Sequence, residues 1–441
     1  MNSFLDELNH VISLYLVNSE FWQFFLSFFP VLIFIEFPLY ALIILSAFRI
    51  YFKRTFGTPI LVPFYPDVTC VVKCYSEGND ILRTVSTLVE QRYRGNIEIL
   101  LIIDDIRHNS KTLKAAEVAR QAFINTPRRH IKVIPKQVRG GVVSSINLGL
   151  SLAKGEILIM LDGDSSCSND FVSVVTQNFV DQNVIAVSCN FKVRNCHKSL
   201  ATRFQTLEYM FTFQMARTGL SGMGILNNVS GGCGAFRKSF IKKIGGWRNG
   251  TAEDLDLIIR IKGYFKRYPY LKIVHDNNAV AYTDVPDTMC SLFKQRLRWD
   301  GDLYYIILKR YRKILRPKML GWKKFLGILW YDIGFCMLVP LLIVLYSLYL
   351  LMFYKHVFFI SVLLISYLYY LFWSLAMFML YLLITPEKKA KNLVFIPYIL
   401  LMPLYQFIMR LWTVVAAICE TLLKIHKDTS MAPWWVIKKT H

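Results

Sequence analysis

GEILIMLDGDSS, residues 155–166, is a continuous apolar run that stops abruptly on two carboxylates, Asp162 and Asp164, with a glycine between them. An apolar run of this length, bounded by turn residues, reads as a strand buried on both faces of a parallel sheet. The pattern recurs upstream. NIEILLIIDD (96–105) is a second buried run ending in two carboxylates, DVTCVVKCY (67–75) is a short β-branched run, and HIKVIP (130–135) is a further strand. Helical stretches fall between them: DILRTVSTLVEQ, KTLKAAEVARQAFINT, and VVSSINLGLSLAK, whose start is marked by Gly140 and Gly141. This alternation predicts an α/β fold with a mostly parallel sheet covered by helices. Two strands that finish in acidic residues place charge at the carboxyl edge, where open α/β sheets bind ligands.

If the chain stays extended, Asp162 and Asp164 lie on one face and can share one hard divalent cation; the alternative is a polar turn at a strand end. Mg2+ or Mn2+ fits, because each uses few carboxylates and lets substrate phosphates complete its shell, which implies a diphosphate ligand. Downstream, GTAEDLDLIIRIKGYF (250–265) puts Glu253, Asp254 and Asp256 at the start of an amphipathic helix. Asp256 reads as a partner of the helix dipole; Asp254 reads either the same way or as a positioned general base. FKQRLRWDGD (293–302) sets Lys294, Arg296 and Arg298 beside Gln295 and Trp299, then closes on Asp300 and Asp302. A solvated helix face would explain the arginines but not the indole and the amide.

The remainder of the chain carries a second signal. At 441 residues it is 54% hydrophobic with 32 Phe and 24 Tyr, too apolar for an ordinary soluble protein, while 19% charged residues is too many for membrane spans alone. Charge and apolar surface must therefore be segregated, and most charges fall between Lys53 and Lys324. Residues 21–48 hold Glu36 as their only charge and exceed the roughly 20 residues that span a bilayer. Asp6 and Glu7 precede them where a signal peptide would be basic, so the tract reads as a retained anchor. Residues 326–354, 357–384 and 392–422 are three further apolar tracts, the last interrupted by Pro397, Pro403 and Arg410, which leaves a broken or interfacial helix as the alternative to a fourth span. FKRTF and KRYRKILRPK assign the central block to the cytoplasmic side by the positive-inside rule. The net charge of +22 suits anionic lipid, with a smaller share for a groove that takes a phosphorylated substrate; no motif points to nucleic acid. Nine cysteines without CxxC spacing indicate neither a zinc site nor a disulfide framework, and reduced thiols are expected.

Strand-end Asp105, DGD (162–164), GGCGAFRKS (231–239), ED (253–254), QRLRW (295–299) and a following apolar tract, in that order, resemble the processive membrane-bound family 2 glycosyltransferases, which include cellulose, hyaluronan, chitin-oligosaccharide and poly-N-acetylglucosamine synthases. The resemblance covers residues 66–310. It implies an A-type glycosyltransferase domain inserted between transmembrane helices of the inner (plasma) membrane. It also implies inverting polymerisation of a UDP-sugar, UDP-N-acetylglucosamine or UDP-glucose, into a β-linked chain that is carried across that membrane. The implied partners are the UDP-sugar donor, the growing glycan acceptor, membrane lipid and accessory secretion proteins. By the same resemblance Glu77 and Asp105 contact the nucleotide, Asp162 the donor and Asp164 the metal. Gly232 lies in the loop before the acceptor, Glu253 contacts substrate, Asp254 is the catalytic base, and Gln295, Arg298 and Trp299 cradle the pyrophosphate and stack on the acceptor sugar, while Lys294 and Arg296 are read as facing lipid or solvent. The implied organisation is an anchor (1–52), a cytosolic transferase domain (53–287), the QxxRW segment with interfacial helices (288–325), a C-terminal transmembrane region (326–425) and a basic tail (426–441).

Three positions depart from the family pattern: DDGS is DDIR at Asp104–Arg107, the lysine after NxG is Val142, and TED is AED with Thr251 one residue early. Arg139 is the candidate replacement for the lysine. A transferase making a lipid-linked sugar would share the DxD sheet without needing QxxRW, and an inactive binding module is the non-enzyme alternative. Glu36 and Arg410 either line a path for the glycan or pair with each other.

Overall fold

The computed structural model describes His10 and residues 27–57, 62–248, 250, 252–385 and 392–427. Asp6, Glu7, Thr251, the PEKKAK segment (386–391) and residues 428–441 of the basic tail lie outside the described residues.

The strands are β1 (Val68–Cys74), β2 (Ile97–Ile103), β3 (Arg129–Pro135), β4 (Ile157–Asp162), β5 (Ser166–Cys167), β6 (Val184–Val193), β7 (Cys233–Arg237) and β8 (Lys272–Thr283). They form one eight-stranded sheet in the order β3-β2-β1-β4-β7-β6-β8-β5. Pairing is parallel from β3 through β2 and β1 to β4, and between β6 and β8; β7 runs antiparallel to β4 and β6, and β5 to β8. The expected parallel core is present, extended by a mixed half.

Period-2 alternation sends Val68, Cys70, Val72, Ile97, Ile99 and Leu101 into the core on one face of the sheet. Val71, Leu100 and Ile102 enter the core on the other, against Val143, Ile146 and Leu150. Burying each of these aliphatic side chains contributes about 1.5–3 kcal/mol, which is why these short runs specify the sheet so strongly.

Among the described residues, four helices are long and apolar enough to cross a membrane: α1 (Leu32–Phe56) and, after the sheet, the three that cover Trp322–Phe353, His356–Ile384 and Met402–Leu423. α1 continues past the expected tract through Lys53 and Arg54. Pro397 and Pro403 each open a new helix, Ile396–Ile399 and Met402–Leu423, so the last apolar tract is broken where its prolines fall. Arg410 pairs with Glu36 at 2.6 Å and stacks over Tyr370, an ion pair that joins α1 to the helix Met402–Leu423.

Between β1 and the last strand run α2 (Asp80–Val89), α3 (Ser110–Ala122), α4 (Gly141–Leu152), α5 (Phe171–Gln177), α6 (Leu200–Tyr209), α7 (Lys238–Lys243) and α8 (Glu253–Lys262), followed by α9 (Met289–Tyr304), α10 (Trp322–Phe353), α11 (His356–Ile384) and α12 (Met402–Leu423). α6 runs on through Met210–Ala216 and Arg217–Gly222 to reach α1. There a Cβ at Gly219 would sit 2.6 Å from the Ile43 carbonyl oxygen, so glycine sets the approach of the sheet domain to the first helix.

Candidate active site

β1 lies between β2 and β4, so the carboxyl ends of three adjacent strands open into one cavity of about 200 Å³. Lys73, Tyr75, Glu77, Asp104, Arg139 and Asp162 face it. Parallel register places Lys73 beside Asp162, and the Lys73 Nζ lies 2.8 Å from the Asp162 carboxylate. Burial alone would lower the pKa of this ammonium, but Asp162, Glu253 and Asp254 hold it above its ordinary range.

Asp162 and Asp164 do not share an extended face. β4 ends at Asp162 and the chain turns at once, with the Ser165 N–H donating to the Asp162 carbonyl at 3.2 Å. The turn moves Asp164 toward Glu77: a Cβ on the intervening Gly163 would lie 2.8 Å from the Glu77 carboxyl carbon. Burial pushes Glu77 up to about 7, partly offset by backbone N–H groups and reinforced by Asp164 and Asp162. Asp164 is likewise pushed up to about 6 by burial and by the charge of Asp162. The Glu77 Oε2 is buried without a hydrogen-bond partner. A buried orphan oxygen beside a second crowded carboxylate suits a hard cation such as Mg2+ or Mn2+. Among the described residues no three His, Cys, Asp or Glu side chains converge enough to hold a metal ion by themselves.

The DDIR loop corrects one expectation. Asp104, not Asp105, faces the cavity, and its carboxylate is already engaged by Lys136 at 2.6 Å and by the N–H groups of Gly140 and Gly141. Asp105 adopts a left-handed φ of 52° and pairs with His108 at 2.9 Å, so an aspartate supplies the turn for which the family pattern has a glycine. Arg139 lies in the cavity wall with its guanidinium 4.7 Å from the centre of the Tyr75 ring.

The second half of the site is hinged on two glycines. A Cβ at Gly232 would fall 2.3 Å from an Asp162 oxygen, and one at Gly231 would fall 2.9 Å from a Glu253 oxygen. The loop can pass between the two acidic groups only without side chains. Asp254, in the first turn of α8, accepts from the Gly231 N–H at 3.2 Å and from Asn228 Nδ2 at 3.1 Å. Glu253 is pushed up to about 7 by burial, with Lys73 and Arg298 opposing and Asp254 adding to the rise. Gln295 keeps a buried Oε1 without a partner.

Three side chains fall outside the sequence expectations. Arg296, expected to face lipid or solvent, is half-buried and engaged: it binds Glu208 at 2.9 Å, Glu208 also accepts from the Tyr405 hydroxyl at 2.8 Å, and the guanidinium lies 4.7 Å from the Trp299 ring centre. Lys294 is exposed as expected. Asp256 is more than a dipole partner, since its buried carboxylate binds Arg260 at 2.8 Å, Arg310 at 3.2 Å and the Tyr311 hydroxyl at 2.5 Å. Asp300 accepts from Thr413 of α12 at 2.7 Å, which accounts for half of the acidic pair after QxxRW; Asp302 is also buried. Lys73 itself was legible as a lone charge in a β-branched strand, a position that demands a partner.

Residues 69–245, which include Glu77, Asp162, Asp164 and the Gly231–Gly232 loop, match the family model "Glycosyl transferase family 2". That segment is similar to family 2 glycosyltransferase domains. The chain is similar to the poly-beta-1,6-N-acetyl-D-glucosamine synthases of Staphylococcus aureus (strain MSSA476), 25% identical over 269 residues, and Staphylococcus epidermidis, 26% identical over 285 residues. These alignments cover 60% and 63% of this chain and 62% and 65% of the relatives, so the chain spans less than two thirds of either relative. Among solved structures, the mannosyltransferase PcManGT from Pyrobaculum calidifontis, in complex with GDP-Man and Mn2+, is 17% identical with a TM-score of 0.53, covering 88% of this chain and 99% of that one. That likeness speaks to the fold. The glycosyltransferase domain match ends before Glu253, Asp254 and QxxRW, whose placement rests on the geometry above.

Proposed function

We propose that the chain is a membrane-embedded, processive, inverting glycosyltransferase that polymerises UDP-N-acetylglucosamine or UDP-glucose into a β-linked glycan, with its transferase domain in the cytoplasm. The observation that supports this reading best is the gathering of Lys73, Asp162, Glu253 and Asp254 around the Gly231–Gly232 loop at the carboxyl edge of the sheet. Similarity to poly-N-acetylglucosamine synthases supports N-acetylglucosamine as the sugar.

Asp254 removes the proton from the acceptor hydroxyl as that oxygen attacks the anomeric carbon from the side opposite the leaving UDP. The Gly231 N–H and Asn228 hold its carboxylate in one orientation. Lys73 and Arg298 bring positive charge to the departing diphosphate, and Arg139 and Tyr75 wall the nucleotide end. Asp164 and Glu77 would hold the divalent cation, which when bound supplies further charge to the diphosphate. A cavity of about 570 Å³ lined by Phe191, Tyr209, Gln214, Tyr282 and Phe395 offers aromatic faces to the acceptor glycan. Phe191 also lies against Gly232 and hence close to Asp162.

The test is incubation of the purified chain with a panel of UDP-sugars and Mg2+ or Mn2+, following UDP release and product length together. Long products from one donor support the proposal. Single-sugar addition to a lipid would replace it with the non-processive alternative, and no UDP release from any donor would refute it.

A further inference from the structure

A cavity of about 650 Å³ lies beyond the end of α8 remote from Asp254. Its walls carry Arg248, Arg260, Lys266, Arg267 and Lys318, and no carboxylate lines it. Arg260 is engaged, binding Asp256 and the carbonyl groups of Ile244 and Gly246. The other four cations make no ion pair with a carboxylate among the described residues; Arg267 has only the Tyr268 ring at 5.9 Å. Like charges gathered in one concavity repel one another, and an anion bound there relieves the repulsion.

The cavity also sits where two parts of the transfer site end. α8 carries Glu253 and Asp254 in its first turn and, about 15 Å further on, delivers Gly263, Lys266 and Arg267 to the cavity wall. The chain leaving α9 contributes Tyr311 and Ile314. Asp256 clamps the two together through Arg310 and Tyr311. Lys318 and Met319 belong to the short helix Pro317–Leu320, which leads directly into α10. If α10 crosses the membrane, the cavity opens at headgroup level.

We propose that this cavity binds a phosphate-bearing anion, presented by the headgroup of an anionic lipid, and that its occupancy steadies α8 against the segment following α9. The lipid source rests on the membrane reading of α10. A soluble phosphate offers the same chemistry, and the lipid is favoured because Lys318 is only a few residues from α10.

The test uses the full chain and the variant Lys266→Gln/Lys318→Gln, neither residue being part of the transfer site. Native mass spectrometry counts phosphatidylglycerol and phosphatidylcholine retained through detergent exchange, and UDP release is followed in vesicles of phosphatidylcholine with and without phosphatidylglycerol. Each cation near an anionic headgroup contributes roughly a factor of five in affinity, so the variant should retain phosphatidylglycerol about 25-fold more weakly. Phosphatidylcholine retention and UDP release in neutral vesicles should not change, and stimulation by phosphatidylglycerol should be lost. Equal phosphatidylglycerol retention by both proteins overturns the proposal. Displacement of the lipid by inorganic phosphate, with stimulation by phosphate alone in detergent, overturns the lipid source in favour of a soluble one. Absence of UDP release from either protein would count against the transferase reading and leave the lipid count to decide this one.

Discussion

Lys73→Met removes the one ammonium that the sheet places beside the DxD carboxylates. At 2.8 Å and an effective dielectric of about 20, the attraction to Asp162 is roughly 6 kcal/mol, but the Asp162 side chain is 43% exposed and water recovers much of it. A net effect of about 2 kcal/mol remains, equivalent to roughly 30-fold in binding. That loss should appear against the donor, because without Lys73 the diphosphate approaches Glu77, Asp162, Asp164 and Glu253 with less positive charge among them. The expected result is a donor KM raised about 30-fold with a smaller change in kcat, matched by a similar loss of UDP affinity in titration calorimetry. Lys73→Arg should restore most of the affinity, and a melting curve should show the Met variant folded. A folded Met variant with KM and UDP affinity within about twofold of wild type would refute the reasoning and reduce Lys73 to a structural counter-ion.

Asp254→Asn should abolish glycan formation and leave UDP binding unchanged, read by product analysis and calorimetry; normal turnover would remove the proposed base. Arg139→Ala should weaken UDP binding beyond the effect of a remote surface substitution such as Lys242→Ala. Glu253 is raised from an ordinary 4.5 to about 7, so the folded chain binds its proton more tightly than the unfolded chain, and this stabilising contribution, complete below 4.5, is lost as the pH rises through 7. Glu253→Gln should therefore gain thermal stability relative to wild type between pH 5 and pH 8, by about 3 kcal/mol at most; a gain independent of pH would contradict the assignment. Thr413→Val strands the Asp300 carboxylate, which burial already pushes up to about 6, and should cost about 1–3 kcal/mol; adding Asp300→Leu should recover part of the lost melting temperature.

The four parallel strands β1 to β4 were legible because each is a short apolar run bounded by turn residues, and the acids that end two of them followed from where those runs stop; β5 to β8 carry no such signal. Register is harder to see. Lys73 and Asp162 are neighbours only because β1 pairs with β4, a fact set by crossovers that no local pattern reports. The turn after Asp162 was equally hidden, since a two-residue spacing looks the same in a strand and in a turn. Arg296 was misassigned for a related reason: its partner Glu208 lies 88 residues earlier, and its other neighbour, Trp299, counted only as a ligand for sugar. Asp256 fitted the helix-dipole rule so well that its buried partners, Arg310 and Tyr311, more than fifty residues away, left no trace in the local sequence.

The helical period explains why QxxRW takes the form it does. Gln295, Arg298 and Trp299 stand at i, i+3 and i+4 and occupy one stripe of α9. Phe293 and Asp300 fall roughly opposite, because a step of two residues turns the helix by about 200°, and Arg296 lies between the two faces, against the Trp299 ring. All three are held: the Phe293 carbonyl accepts from Trp412 at 2.8 Å, Arg296 binds Glu208, and Asp300 binds Thr413. Trp412 and Thr413 belong to α12, and Tyr405 of the same helix completes the Glu208 pair. A helix free on its second face would leave the indole and guanidinium of the first to wander by more than the roughly 1 Å that positioned transfer chemistry tolerates. The apolar helix that follows the site by a hundred residues is therefore part of what aims it, and the acidic residue after the tryptophan is one of the contacts through which it does so.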